Sequence, residues 1–251
     1  MIFALCVNNI LYDISENIRS MISMIREASL NGAKCVVFSE AAFTGLVNND
    51  DPSHDLALSF SLDDPEIKEI FEFSQNCGTD VVFGFFENNE GHICDSAVYY
   101  DNQTNSKYVY RRISEGWFGP KADRRIYTCG SDTEVFTTGI GKVSLLICGD
   151  LFDENLIKRI RENDSKLLIV PFARCFPESV ADPKTEWDLN EKYAYSDQIR
   201  KTGKKSVLVN YISGYGTGDY FGGAMVVDSD GKIIEEKAAF EKGILYIDVN
   251  S

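Results

Sequence analysis

Histidine is almost missing from this 251-residue chain: there are two, neither near a cysteine cluster. A histidine-rich metal site or a Ser-His-Asp triad therefore has little to be built from. The seven cysteines are an odd number at irregular spacing with no CxxC pair, which argues against a disulfide framework or a zinc finger and for reduced thiols. No apolar run reaches the length of a membrane span, and the apolar start, Met1 to Val7, lacks both a basic flank and a small-residue cleavage site. Positive charge is also scarce, with 25 basic against 39 acidic side chains and a net charge of −14. Such a surface repels phosphate, and the short runs Arg111–Arg112 and Lys204–Lys205 do not make the basic stripe that nucleic acid requires. The expectation is a soluble, cytoplasmic protein without a nucleic-acid or membrane partner. Its chemistry must fall to Cys, Asp, Glu, Lys or Arg.

What is present reads as one domain, residues 1–251, since no linker or low-complexity segment interrupts a chain that is 44% hydrophobic. Ile2 to Val7 has strand length, and Asp13 with Glu16 has the spacing of a capping box. Ile14, Ile18, Met21, Ile22, Ile25 and Ala28 then recur at helical spacing as far as Gly32. A strand at Cys35 to Phe38, a helix opened by Asp64-Pro65 and ending at Gly78, and a strand at Val81 to Phe86 follow. Ala97 to Tyr100 and Tyr108 to Ile113 flank a polar turn and read as an antiparallel hairpin, so the sheets are mixed. Val143 to Cys148, a helix over 153–162 and Leu167 to Pro171 repeat the opening strand–helix–strand pattern. A helix over about 184–203 precedes strands at Ser206 to Asn210, Ala224 to Val227 and Ile244 to Val249, with a tight turn at 228–231. Gly214, Gly216 and Gly218 follow a strand but lead into no helix, so a dinucleotide fingerprint is a poor reading.

Three polar positions fall at strand ends, where a sheet holds side chains rigidly: Glu40, Arg112 and Cys148. Glu40 stands inside Val36-Val37-Phe38-Ser39-Glu40-Ala41-Ala42-Phe43. Burial there would raise its pKa toward the range a general base needs; the alternative is a glutamate that caps a turn or pairs with an arginine. A lone cysteine is most often packing. Cys148 differs from the other six because Gly149, Asp150 and a helix follow it, which would expose a thiol beside a backbone N–H.

In these residues the chain resembles the carbon-nitrogen hydrolase, or nitrilase, superfamily along nearly its whole length. Gly32-Ala33 through Phe38-Ser39-Glu40 to Thr44-Gly45 is similar to the family's glutamate signature, with Ser39 where proline is usual. Tyr110-Arg111-Arg112-Ile113 occupies the lysine segment and Ile147-Cys148-Gly149-Asp150 the nucleophile segment. Val170-Pro171 and Tyr220-Phe221-Gly222-Gly223 leading to Asp228-Ser229-Asp230-Gly231 add support. The resemblance implies a four-layer α-β-β-α sandwich of mixed sheets, assembled as a homodimer or higher homo-oligomer. It implies no cofactor or metal, and a small-molecule amide or nitrile substrate, with an amide preferred. Glu40 would take the thiol proton, Cys148 would form a thioester or thioimidate, and Arg112 with the Gly149 N–H would hold the oxyanion. Asp123 stands near the place of a second family glutamate, and Phe172 and Ala173 fall where family members contact substrate. Ser114 to Arg125, with Trp117, Phe118 and three cations, reads either as a pocket wall that attracts an anion or as a cover for the sheet edge or a subunit contact. The departure is Arg112 itself, which stands where the family has lysine. A catalytically silent binding or scaffolding relative is accordingly the rival reading.

Overall fold

The computed structural model describes residues 1–214 and 219–249. Its first half contains β1 (Ile2–Val7), α1 (Ile14–Leu30), β2 (Cys35–Val37), α2 (Pro52–Ala57), α3 (Pro65–Cys77), β3 (Asp80–Asn89), β4 (His92–Asp101) and β5 (Ser106–Arg111). The second contains β6 (Phe136–Thr138), β7 (Gly141–Leu145), α4 (Glu154–Glu162), β8 (Leu167–Pro171), α5 (Pro183–Glu186), α6 (Lys192–Thr202) and β9 (Lys205–Val209). It closes with the short pair β10 (Ile212–Ser213) and β11 (Tyr220–Phe221), then β12 (Ala224–Val227), β13 (Ile233–Lys237) and β14 (Gly243–Asp248). Two six-stranded sheets result, ordered β14-β1-β2-β3-β4-β5 and β13-β12-β9-β8-β7-β6. Both are mixed. The neighbours β1/β2 and β7/β8 are parallel, each joined through a helix, while the outer strands pair antiparallel.

The period-two alternation of β1 explains the layering. Phe3, Leu5 and Val7 point to the core shared with Val143, Leu145, Val207 and Val226 of the second sheet. Ala4 and Cys6 point the other way, onto Ile18, Met21 and Ile25 of α1 and Ile67 and Ile70 of α3. In the second sheet all five residues of β8 are buried, as befits a strand covered on one side by the first sheet and on the other by α4 and α6. The architecture is the expected α-β-β-α sandwich. No helix among the described residues is long and apolar enough to cross a membrane.

Local chemistry accounts for several departures from the expected boundaries. The Asp13 carboxylate accepts from the Ser15 and Glu16 amides, but Glu16 turns to Arg19, so only half of the capping box forms. Asp64 opens α3 without capping it, because its carboxylate binds the amide and hydroxyl of Ser61 upstream. The helix expected over 184–203 is α5 and α6 joined through a π turn at Trp187–Glu191, and it ends at Gly203 with φ +65°. The strand expected to run to Cys148 stops at Leu145, because Asp150 accepts from the Ile147 amide and winds 148–152 into a 3₁₀ turn. Edge strand β13 escaped the sequence reading because Ile233–Lys237 is half polar, and α2 because it is only six residues long. Gly216 and Gly218 of the glycine motif lie outside the described residues.

Gly84 is the point at which β3 admits the chain leaving β2. Its amide donates to Ser39 O and its carbonyl accepts from Ala42 N, so the backbone of residues 39–42 lies directly on it. A Cβ at position 84 would sit 2.5 Å from the Glu40 Cα and 2.8 Å from the Ala41 nitrogen. Gly84→Ala should therefore lower the unfolding free energy by about 2 kcal/mol in a denaturant titration. An unchanged midpoint would show that the contact relaxes freely.

Candidate active site

Three segments deliver the site. Glu40 follows β2, on a turn in which Ala41 takes φ +45° and its carbonyl receives the Thr44 and Gly45 amides. Arg112 extends β5 by one residue: its amide donates to Asp95 O on β4 and its carbonyl accepts from Gly130 N. Cys148 opens the 3₁₀ turn with φ +44°, a left-handed conformation that a non-glycine residue holds only when its surroundings enforce it. The Asp150 carboxylate provides that enforcement. It is fully buried and accepts from the amides of Ile113, Ser114 and Ile147 and from the Tyr110 hydroxyl, so it clamps the cysteine turn to the arginine segment.

The side chains meet in a buried cluster. Arg112 Nη1 donates to Glu40 Oε1 at 2.8 Å and to Asp95 Oδ2 at 3.3 Å, and Nε donates to Ser114 Oγ at 2.9 Å. Nη2 makes no hydrogen bond among the described residues and lies over Gly149, where a Cβ would stand 2.5 Å from it. The Cys148 thiol is partly exposed, stands close enough to Glu40 to raise its carboxyl and is 3.6 Å from Ala173 O. Glu40 is wholly buried. Burial and the neighbouring Cys148 push its carboxyl up to about 8 against the opposing pull of Arg112 and Asp95. Burial also drives the Asp95 carboxyl well above its ordinary range, with Glu40 adding to the rise. Burial would lower the Arg112 guanidinium, but Glu40, Cys148 and Asp95 outweigh it and keep the side chain firmly charged.

Of the seven site residues expected from sequence, Glu40, Arg112, Cys148 and Gly149 come together here, with Ala173 at the edge through its carbonyl. Two do not. Asp123 lies at the surface with its carboxylate on Arg125, which holds it down at about 2. The acid beside the arginine is Asp95. Phe172 is buried against Trp187 and Tyr195 at ring distances of 6.1 and 5.2 Å, so it packs the core and presents no side chain to substrate. Sequence reading passed over Asp95, Ser114 and Tyr195. A signal for Asp95 existed, since a carboxylate within the mostly apolar run Ile93 to Tyr100 poses the same burial problem as Glu40.

Beside the cluster opens a cleft of about 460 Å³, with Asn48, Asp50, Trp117, Phe118, Ala173 and Tyr220 in its lining. Its two walls are tied together. Asp50 accepts from the Gly119 and Lys121 amides, and Asn48 donates to Trp117 O. Buried Asp55 then fixes the first wall by accepting from the Asn49 and Asp50 amides and the Tyr127 hydroxyl. Two of the three cations expected to attract an anion are engaged: Arg124 pairs with Glu115 and covers the Phe118 ring, and Arg125 pairs with Asp123. Among the described residues no group of three or more His, Cys, Asp or Glu side chains is arranged to hold a metal.

Comparison with known proteins gives a consistent result. The family model for carbon-nitrogen hydrolase matches residues 3–251. A glutamine-dependent NAD(+) synthetase from Thermotoga maritima is 26% identical over 247 residues, covering 97% of this chain but only 41% of that protein. The chain thus spans less than half of that relative. A probable nitrilase from Schizosaccharomyces pombe is 22% identical, with 93% of this chain and 82% of the relative covered. Among solved structures, the carbon-nitrogen hydrolase from Helicobacter pylori G27 superposes with a TM-score of 0.82 at 18% identity, covering 98% and 88% of the two chains. A mutant amidase from Nesterenkonia sp. AN1, bearing acrylamide added at its active site cysteine, gives 0.79 at 20% identity, covering 99% and 93%. At such identities the structures establish the fold alone.

The raised Glu40 carboxyl makes stability depend on pH. The folded state holds this proton up to about 8, against an ordinary value of 4.5, so between those limits the native protein binds more protons than the unfolded chain. Stability from this group is fully present at the acid end and is lost as pH rises through about 8. Denaturant titrations across that window should show the decline, and Glu40→Gln should make it shallower. An equal slope in the variant would show that Glu40 keeps its ordinary affinity for the proton.

Proposed function

The chain belongs to the carbon-nitrogen hydrolase family, and on that footing we propose that it hydrolyses a small amide through a thioester on Cys148. The observation that carries this reading is the unshared Arg112 Nη2 lying over Gly149, next to a thiol within reach of Glu40. A donor aimed at the peptide after the nucleophile is what a developing oxyanion needs, and each such donor contributes on the order of 3 kcal/mol.

The sequence of events follows from the geometry. Glu40 as carboxylate accepts the thiol proton, and the thiolate of Cys148 bonds to the amide carbon while the carbonyl electrons move onto oxygen. Arg112 Nη2 and the Gly149 N–H hold that oxyanion. Its collapse breaks the carbon–nitrogen bond, and the departing nitrogen takes the proton from Glu40. Water then attacks the thioester, giving a proton to Glu40, and the carboxylic acid leaves as the thiol is restored. The tied walls and aromatic lining of the cleft favour a small substrate presented in one orientation. Glutamine belongs in the test panel because two relatives are glutamine-dependent enzymes.

Incubation with acrylamide, propionamide, L-glutamine and a simple nitrile, followed by intact-protein mass measurement and ammonia assay, tests the proposal. We expect an adduct or ammonia release that disappears in Cys148→Ala and Glu40→Gln. For an amide that turns over, kcat/KM should climb with pH and level off above about 8, as Glu40 becomes the free base. A wild-type protein that forms no adduct and releases no ammonia with any member would favour the silent relative, with Arg112 as its mark.

A further inference from the structure

Two acids, not one, bracket the arginine. Asp95 enters from β4, 1% exposed, with Oδ2 on the Arg112 Nη1 that also serves Glu40. The remaining oxygens, Glu40 Oε2 and Asp95 Oδ1, are buried and receive no hydrogen bond among the described residues. The two carboxyls are neighbours, since both meet the same Nη1, at 2.8 and 3.3 Å. Two adjacent buried carboxylates facing one guanidinium would leave an uncompensated negative charge, whereas one proton between them makes the trio neutral and supplies a missing donor.

We propose that Asp95 is a positioning residue that keeps its proton while Glu40 ionises, donating it as a hydrogen bond to the Glu40 carboxylate and fixing that carboxylate toward Cys148. The role of Glu40 as base rests on the hydrolase reading above, but the shared proton does not. Other groups facing the trio are consistent with it. Tyr110 and Asp150 are engaged with each other, Tyr195 on α6 stands near Cys148 and Glu40, and the Tyr211 hydroxyl accepts from the Leu46 amide. Burial pushes all three of these phenols upward, so none offers an easier proton. The carboxyl pair titrates as a unit, and the shorter contact of Glu40 with Arg112 Nη1, 2.8 Å against 3.3 Å for Asp95, favours the charge on Glu40 and the proton on Asp95.

Infrared titration of the whole protein reads this without any substrate. One protonated-carboxyl band should vanish as Glu40 ionises near pH 8 and be absent in Glu40→Gln, while a second should persist to higher pH and be absent in Asp95→Asn. Absence of a persistent band, or its survival in Asp95→Asn, would overturn the proposal even if the protein hydrolyses nothing. With a substrate that turns over, Asp95→Leu should lower kcat by about tenfold with KM nearly constant, and Asp95→Asn, whose amide can donate in place of the acid, should recover most of that loss. Equal damage from both substitutions would show that the charge of Asp95 is needed, and would likewise overturn it. A wild-type protein inactive on every amide but showing the persistent band would sink the hydrolase reading and leave the shared proton standing.

Discussion

The contact between the Arg112 guanidinium and the buried carboxyls of Glu40 and Asp95 governs this molecule. An ionised group without water is unfavourable by several kcal/mol unless an opposite charge and hydrogen bonds replace the solvent. Here one planar cation serves two acids and a serine hydroxyl, and it does so in a layer that is otherwise aliphatic and aromatic. Removing the arginine would strand two acids, which would respond by holding protons still more tightly. The charge balance of the site and the stability of the fold are thus one problem.

That interaction needs close tolerances, and the backbone supplies them. Gly84 lets the Glu40 turn lie flat on β3, and Gly149 leaves room for Nη2, where any Cβ would collide. Asp150 gathers three amides and a phenol to bind the cysteine turn to the arginine segment. The left-handed angles at Ala41 and Cys148 are held by these bonds and are unfavourable on their own. Strain of this kind aims a side chain: the thiol is turned out of the strand line toward Glu40 and the cleft.

Much of this was legible in the chain before folding. Period-two alternation in β1 and helical spacing in α1 follow directly from which face meets water, so the layers could be read from residue type. Glu40 stood out because a carboxylate in an apolar run demands an explanation. Asp95 carried the same signal but lies two residues ahead of the hairpin strand read from Ala97 to Tyr100, and the adjacent Ser96 diluted the contrast. Asp123 attracted notice by distance along the chain, a poor guide where a loop can place its acid on the nearest cation, here Arg125. Phe172 and Ala173 part for a different reason: adjacent residues on an extended chain face opposite sides, so Ala173 can edge the site through its carbonyl while the Phe172 ring enters the core.

The arginine at position 112 is better understood together with its surroundings than by itself. A lysine ammonium is a single point of charge, and its three donors diverge from one nitrogen. A guanidinium spreads its donors over a plane, so Nη1 can hold two acids, Nε can hold Ser114 and Nη2 can remain unshared. The plane requires space on one side, and Gly149 and Gly116 both lie beside Nη2, at 2.5 and 3.2 Å from where their Cβ atoms would be. The spread of its donors also lets a second acid share the cation, a place Asp95 fills from β4. Arginine, aspartate and the two glycines therefore form a mutually consistent set, each accommodating the shape or charge of the others. The guanidinium is thereby held on one edge by two acids and a serine, and on the other faces two residues that have no side chain to obstruct it.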